Sequence, residues 1–593
     1  MVKELVTQCK PDEIALKSFF LGPQSENAIW MQSSIRELLV RWFEWRQGRF
    51  VEDGRAISAK EQVTSEFKAS RKFMSVVIAE LTTRFEAEIP KYSPRYAGHM
   101  FSEIAIPALM GHLIALLHNP NLMSGESARV GFHVENEAID ALIKMVGYES
   151  GRATGHFTSG GTIANFEAVT RARARIALWM AMGCAVAELN GKNPAPCVDA
   201  VMGWNRYEAL LETLKVQDSQ WQSRLDSWNF ELVGFHNFAL RIRDRFGISV
   251  EHPVLLVPAH RHYSWTKAAA LFGFGDETMK LVHLDEHGRM DVNHLRQRIS
   301  VAFESQHPLM MIVSVAGTNE LGVMDPVDEV NAVCAESGAV WHHLDAAYGG
   351  FYAVLRDLDG EPSREIPSAA FMRAICHFHG ADSITTDPHN LGYVPYAAGV
   401  FMVRDSRDYD LRAFSAPYIQ YEIQDRGPVT LEGSRPATSA AAIWMVSKTM
   451  PLNAQGFGRI LLRNFRARFE LEDALKSTAV PVRIVRTSDS NVLCFAVAAE
   501  GEALSVVNQR TNTIYHALAH PEARFFVSKT TISWQHAAAL CERFAGSWGA
   551  QCDTGVIVLI RTCLMNPFFT STETTVHYAR ELAHEIETLA MAQ

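Results

Sequence analysis

Two stretches near the N-terminus, IWMQSSIRELLVRWFEWRQ and FKASRKFMSVVIAELTTRFEAEI, carry apolar residues three and four positions apart with charges between them. That is the spacing of amphipathic helices, so residues 1–130 are expected to form a helical segment of the kind that wraps a partner or a second domain. From residue 131 the pattern changes. Short apolar runs, VLLVP (254–258), LMMIVSV (309–315), AVWHHLD (339–345) and AGVFMVR (398–404), alternate with amphipathic stretches. Strand alternating with helix predicts a mostly parallel sheet covered on both faces, here over residues 131–440. Beyond that, NVLCFAV (491–497) and TGVIVLIR (554–561) stand among helical stretches such as RILLRNFRARFELEDALKS, which predicts a smaller α+β domain over residues 441–593. The expected class is therefore α/β, without internal repeats or a low-complexity tether.

Composition narrows the partners. The 593 residues are enough for several structural units around at least one large core. Lys and Arg total 56 against 66 Asp and Glu, a formal charge of −10, which argues against nucleic acid or an anionic membrane as the main partner and for a small molecule. Nine cysteines form no CxxC pair and sit mostly inside apolar runs, as buried thiols of a reducing compartment do. No secretory signal pattern opens the chain, and no apolar run reaches the roughly 20 residues needed to span a bilayer. A cytoplasmic protein is expected.

Three elements carry candidate chemistry. TSGGTIANFEAVTRARARIALWMA begins with hydroxyls and two glycines and continues as an amphipathic helix with Ile163, Phe166, Val169 and Ile176 along one side, so Gly160, Gly161 and Thr162 could seat a phosphate on the helix N-terminus. An ordinary glycine turn reads the same way. Asp345 closes AVWHHLD at the C-terminal edge of the predicted sheet, where a carboxylate could hold a protonated ring nitrogen or merely cap a turn. His262, in PAHRHYSW, could stack on a flat ring or be a packed core histidine. HRH (260–262), HH (342–343) and HFH (377–379) also leave open a metal site, which needs three or four converging ligands.

Taken together, TSGGTIANFEA, HYSWTKAA, AGTNELGVMDPVDEV, LDAAYGG and SITTDPHNLGYVPYAAG resemble, in order and spacing, the pyridoxal-phosphate-dependent group II amino-acid decarboxylases. SPRYAGHM (93–100), LDEHGRMDVNHLR (284–296) and LEGSRPATSAAAIW (431–444) look most like the bacterial tyrosine decarboxylases. The resemblance implies an aspartate aminotransferase-like fold (fold type I), a homodimer with pyridoxal 5'-phosphate between subunits, and decarboxylation of an L-amino acid, aromatic for preference, to an amine. Carried over by motif, Gly160, Gly161 and Thr162 would hold the phosphate, His262 and Ala347 would flank the ring, and Asp345 would pair with its nitrogen. Asp387, His389 and Asn390 complete the cofactor residues; His262, His389, Asn390 and Tyr418, the last in FSAPYIQYE, stand at the catalytic positions, and His99 and Ser102 are the substrate-pocket candidates.

One position departs from the pattern. After DPH the family carries lysine, whose amine forms the resting Schiff base and later displaces the product; here Asn390 stands there, and an amide nitrogen is not basic. Lys267 belongs to a segment where the family also has lysine, and Lys448 and Lys529 lie in other segments, so no nearby replacement is evident. A tethered amine can reach an effective molarity on the order of 10⁵ M, so turnover is expected to be impaired while cofactor binding survives. Three accounts follow: a substitution introduced to trap complexes, a natural lysine-less homologue with different chemistry and His389 as base, or a non-catalytic protein that keeps the fold. Arg561, at the end of TGVIVLIR, could bind a carboxylate or simply end a strand in solvent.

Overall fold

The computed structural model describes residues 13–358, 367–411, 413–414, 425–486 and 490–592. Two long helices come first, α1 (Ala28–Arg49) and α2 (Ser65–Phe85), where the three-and-four spacing placed them. Neither buries a single residue against the rest of the chain. Trp30, Trp45, Phe73 and Ile78 are 57%, 53%, 69% and 66% exposed, an apolar surface well beyond the scattered exposure of an ordinary monomer.

The central sheet has seven strands: β1 (Thr154–Thr158), then, after the long helix α3 (Gly161–Leu189), β2 (Val254–Pro258), β3 (Met279–Val282), β4 (Leu309–Val315), β5 (Trp341–Ala346), β6 (Ser383–Thr386) and β7 (Gly399–Val403). Their spatial order is β1-β7-β6-β5-β4-β2-β3. All pairs are parallel except those of β7, which runs antiparallel to both β1 and β6. Every residue of β2, β4, β5, β6 and β7 is buried, the signature of strands covered on both faces; β2, β4, β5 and β7 fall on the four runs read from the sequence, whereas β6, SITT, gave no apolar run.

Helix α3 differs from its expected amphipathic form. Ala164, Ala168, Ala172, Trp179 and Met180 are buried along with Val169 and Ile176, because the helices Trp204–Gln217, Trp221–Trp228 and Phe235–Phe246 form a further layer over it. The charges in its RARAR run are neutralised inside: Arg171 pairs with Glu167, and Arg175 with Asp408 at 3.3 Å. Burying these arginines unpaired would cost several kcal/mol each, of order 3–5.

The second sheet is mostly antiparallel. After α4 (Gly458–Lys476) come β8 (Val482–Ile484), β9 (Val492–Val497), β10 (Phe526–Ser533) and β11 (Val556–Cys563), followed by α5 (Tyr578–Met591). The two-residue strand Tyr96–Ala97 adds in parallel to β10, giving the order 96–97, β10, β11, β9, β8. The segment entering the body after α2 is thus stitched into this sheet, and β10 and β11 bring their faces to the edge of the central one. No helix among the described residues is long and apolar enough to cross a membrane.

Candidate functional site

A cavity of about 700 Å³ opens where β2, β4, β5 and β6 end, with β10 and β11 across from them. C-terminal strand ends are where open α/β sheets bind ligands, since the loops and helix starts there leave backbone donors unspent. The turn Ser159–Thr162 leads into α3, and two close approaches shape it. A Cβ on Gly161 would come 2.8 Å from Asp387 Oδ2 and 3.0 Å from Ala347 Cβ, and one on Gly399 of β7 would come 2.5 Å from Gly160 Cα. The Gly161 N–H donates to Asp387 Oδ2 at 3.0 Å, and the Ser159 N–H to Glu432 Oε2 at 3.0 Å.

Asp345, 3% exposed, lies at the end of β5. Its Oδ2 accepts from Asn165 Nδ2 and Trp265 Nε1, both at 2.9 Å, while Oδ1 has only a 3.4 Å contact with the Ala347 amide. Two donors on one oxygen fix the carboxylate and leave the other for the cavity. The support runs deeper: His343 bonds Ser383 Oγ through Nδ1 (2.7 Å) and Asn165 Oδ1 through Nε2 (3.1 Å), and Asn165 also donates to Ser264 Oγ (3.0 Å), which bonds His262 Nδ1 (2.9 Å). One hydrogen-bonded chain therefore holds both Asp345 and His262. His262 and Ala347 both line the cavity.

From the loop after β6, Asp387, His389 and Asn390 reach the same space. The Ala398 N–H donates to His389 Nδ1 at 3.2 Å, so in the neutral ring Nε2 carries the proton, 3.5 Å from Asp387 Oδ2. Burial pulls the His389 pKa down to about 4. Asn390 Nδ2 donates to the Ala347 carbonyl at 3.2 Å. His99, Met100 and Phe101 close another side, with Phe101 set against Tyr96 and Tyr396 at 5.6 and 6.1 Å between ring centres. Ser102 does not line the cavity, and its hydroxyl is buried without a partner. Tyr418 lies outside the described residues.

Arg561 does not end its strand in solvent. It is 4% exposed, its Nη1 donates to Gly98 O (3.2 Å) and Ser528 Oγ (3.0 Å), and no carboxylate among the described residues pairs with it. Burial and the Arg561 charge both lower the His99 pKa. Lys529, set aside above as distant in sequence, also lines the cavity, with its ammonium donating to Asn512 Oδ1 at 2.7 Å and lying over the Tyr515 ring. Asn165, Trp265 and Tyr396 lie inside the quoted motifs but drew no role from them, and Phe101 follows SPRYAGHM by one position; only the fold shows what they do here. The histidine pairs are spent on core hydrogen bonds: His342 to Ser314 and Asn331, His343 as above, and His260 to the buried Asp325 at 3.0 Å. No three His, Cys, Asp or Glu side chains among the described residues converge as a metal site would require.

Comparison with known proteins agrees with this geometry. Residues 245–541 match the pyridoxal-dependent decarboxylase conserved domain. The chain is 27% identical to an L-tyrosine decarboxylase of Levilactobacillus brevis and 26% identical to one of Enterococcus faecalis, covering 97% and 96% of this chain and 96% of each relative. Among solved structures, mouse CSAD superposes with a TM-score of 0.63 at 18% identity, over 94% of this chain and 99% of that one. A rice (Oryza sativa) TDC with PLP and tryptamine gives 0.62 at 14%, over 96% and 98%. The fold is fold type I, aspartate aminotransferase-like, with pyridoxal phosphate as the cofactor. A cavity holding a glycine turn at a helix start, a carboxylate held by two donors and a flanking histidine is thus explained: the chain belongs to the pyridoxal-dependent decarboxylase family.

Proposed function

We propose that this protein binds pyridoxal phosphate without a covalent anchor and acts on an aromatic, tyrosine-like L-amino acid, with decarboxylation to the amine impaired by Asn390. The carrying observation is the contrast within one loop: Asp387 and His389 are seated against the helix start, while Asn390 beside them offers only an amide, already bonded to Ala347 O. The residues present fit the cofactor. Gly160, Gly161 and Thr162 would take the phosphate, His262 and Ala347 would flank the ring, and the free oxygen of Asp345 would meet its nitrogen. When bound, pyridoxal phosphate supplies an electron sink for the pair left on the α-carbon as carbon dioxide departs.

The chain's own groups set the rest. Arg561 places a buried positive charge, unmatched by any described carboxylate, where an amino acid's carboxylate can sit. Phe101, Tyr396 and Tyr263 give the cavity aromatic walls suited to an aromatic side chain. His389, neutral at pH 7, offers its Nε2–H toward the reacting region, and a conjugate acid with a pKa of about 4 makes it a poor base, which weighs against a different chemistry driven by proton abstraction there. Tyr418, carried over from the motif FSAPYIQYE, is the proposed proton donor. The partner is a second copy of the chain, received by α1 and α2, whose apolar residues find no cover within one protomer.

Purified protein should release pyridoxal phosphate on mild denaturation, and borohydride should leave no residue modified. Asn390→Lys should then show a new visible absorption band, a reducible link at residue 390, and amine and carbon dioxide formed from tyrosine. A lysine variant that holds cofactor yet stays unlinked and inactive would sink the proposal. Labelling of Lys529 in the unaltered chain would move the anchor there.

A further inference from the structure

Two carboxyl groups, Asp345 and Asp387, share the cavity, and they are built differently. Asp345 receives two side-chain donors at 2.9 Å on one oxygen. Asp387 is 6% exposed, has one amide donor on Oδ2, and its Oδ1 is buried with no hydrogen-bond partner among the described residues. No lysine or arginine among the described residues pairs with it; the His389 ring, neutral at pH 7, lies 3.5 Å away. A bare carboxylate in that position would be a buried, unpaired charge, the most expensive way to bury a polar group.

The carboxyl also sits between the start of α3 and the space where a phosphate is expected. The Gly161 amide, the donor a phosphate would ordinarily take from a helix start, is already given to Asp387 Oδ2. An ionised Asp387 would set one anion against another, whereas a protonated one passes the donor on: Oδ2 accepts from the amide and the O–H on Oδ1 gains the acceptor it lacks. On the reading that this cavity holds pyridoxal phosphate, we propose that Asp387 is retained as a neutral carboxylic acid that donates to the cofactor phosphate, coupling cofactor retention to a single proton.

The surroundings agree. Burial holds the Asp387 carboxyl well above the usual carboxylate range; the Gly161 amide opposes this and the Asp345 charge adds to it. The start of α3 presents only amides. The segment after residue 424 presents Glu432, on the Ser159 amide. β5 presents Asp345, and Asp387's own loop presents His389, with a pKa near 4, and the Tyr396 phenol, which burial pushes up to about 12. Among the described residues, no facing group supplies a positive charge at neutral pH.

The test is equilibrium titration of the full chain with pyridoxal phosphate and with phosphate-free pyridoxal, from about pH 6 to about pH 9. Pyridoxal phosphate affinity should fall with rising pH, by up to about tenfold per unit once Asp387 ionises in the free protein, while pyridoxal affinity stays flat. Asp387→Asn, which keeps a neutral donor at every pH, should abolish the slope and bind at least about tenfold more tightly at the alkaline end. Glu432→Gln should keep the wild-type slope. Parallel profiles for wild type and Asp387→Asn, or a slope abolished by Glu432→Gln instead, overturn the inference. Infrared difference spectra of the wild-type chain read the same group without substitution: a protonated carboxyl band that shifts when inorganic phosphate binds supports it, and the absence of such a band at the acid end overturns it. Binding of neither compound at any pH overturns the cofactor reading as well, whereas pH-independent binding overturns this inference alone.

Discussion

At Asn390 a single side chain separates a cavity that can hold a cofactor from one that can anchor it. The surrounding residues define what else can be tested there. Arg561→Gln removes the buried positive charge, and since a hydrogen bond to a charged group is worth about 1.5–3 kcal/mol, amino-acid affinity should drop roughly 10- to 100-fold with cofactor affinity unchanged, as calorimetry of the loaded protein would read. Unaltered amino-acid binding would show that the carboxylate sits elsewhere. Asn165→Ala should weaken cofactor binding although the sequence assigned Asn165 no role, because it takes a donor from Asp345 and the link from His343 at once. Motif residues such as Asp345 and His262 were legible in the sequence because spacing marks them. The roles of Asn165 and Trp265 were not, since a donor near the start of a helix looks like any other polar or aromatic position.

Among the elements, the glycine turn into α3 and the antiparallel strand β7 are one unit. Gly399 of β7 touches Gly160 so closely that a methyl group there must displace backbone, and overpacking of this sort costs roughly 1–3 kcal/mol. Gly399→Ala should lower the thermal midpoint and loosen pyridoxal phosphate binding together; retention of both would mean the turn adapts freely. The apolar run AGVFMVR announced a buried strand but not its direction, because a strand buried on both faces has no alternation to tell parallel from antiparallel. The arginines of α3 misled in the opposite sense: charges spaced along a helix suggest a solvated face, and only the outer helices and the carboxylates brought by distant loops show that they are enclosed.

For the whole molecule, the proposed dimer rests on α1 and α2. If they form its interface, Trp45→Glu combined with Phe73→Glu, which places charges on their exposed apolar surface, should shift a dimer to monomer in sedimentation analysis; an unchanged dimer would show that these helices are not its interface. Acid sensitivity follows from the core histidines. Burial draws the pKa of His342 down to about 4 and of His343 to about 3, below their values in the unfolded chain. The unfolded state therefore binds more protons between about pH 6.5 and those values, so stability is full above that window and falls as pH drops through it, by on the order of 2 kcal/mol for each histidine at pH 5. Denaturant unfolding at pH 7 and pH 5 should show the loss, and His343→Gln should reduce it.

The order of motifs along the chain determined by itself the fold class and the cofactor, because glycine turns, strand-end acids and their spacing depend on residue type and local order. Only the tertiary structure decided that Arg561 and Lys529 share the cavity with Asp345, that Asn165 joins His343 to that acid, and that Asp387 takes the Gly161 amide at the start of α3. These are relations between segments up to several hundred residues apart, and their energies come from burial and donor geometry, which exist only once the two sheets have met.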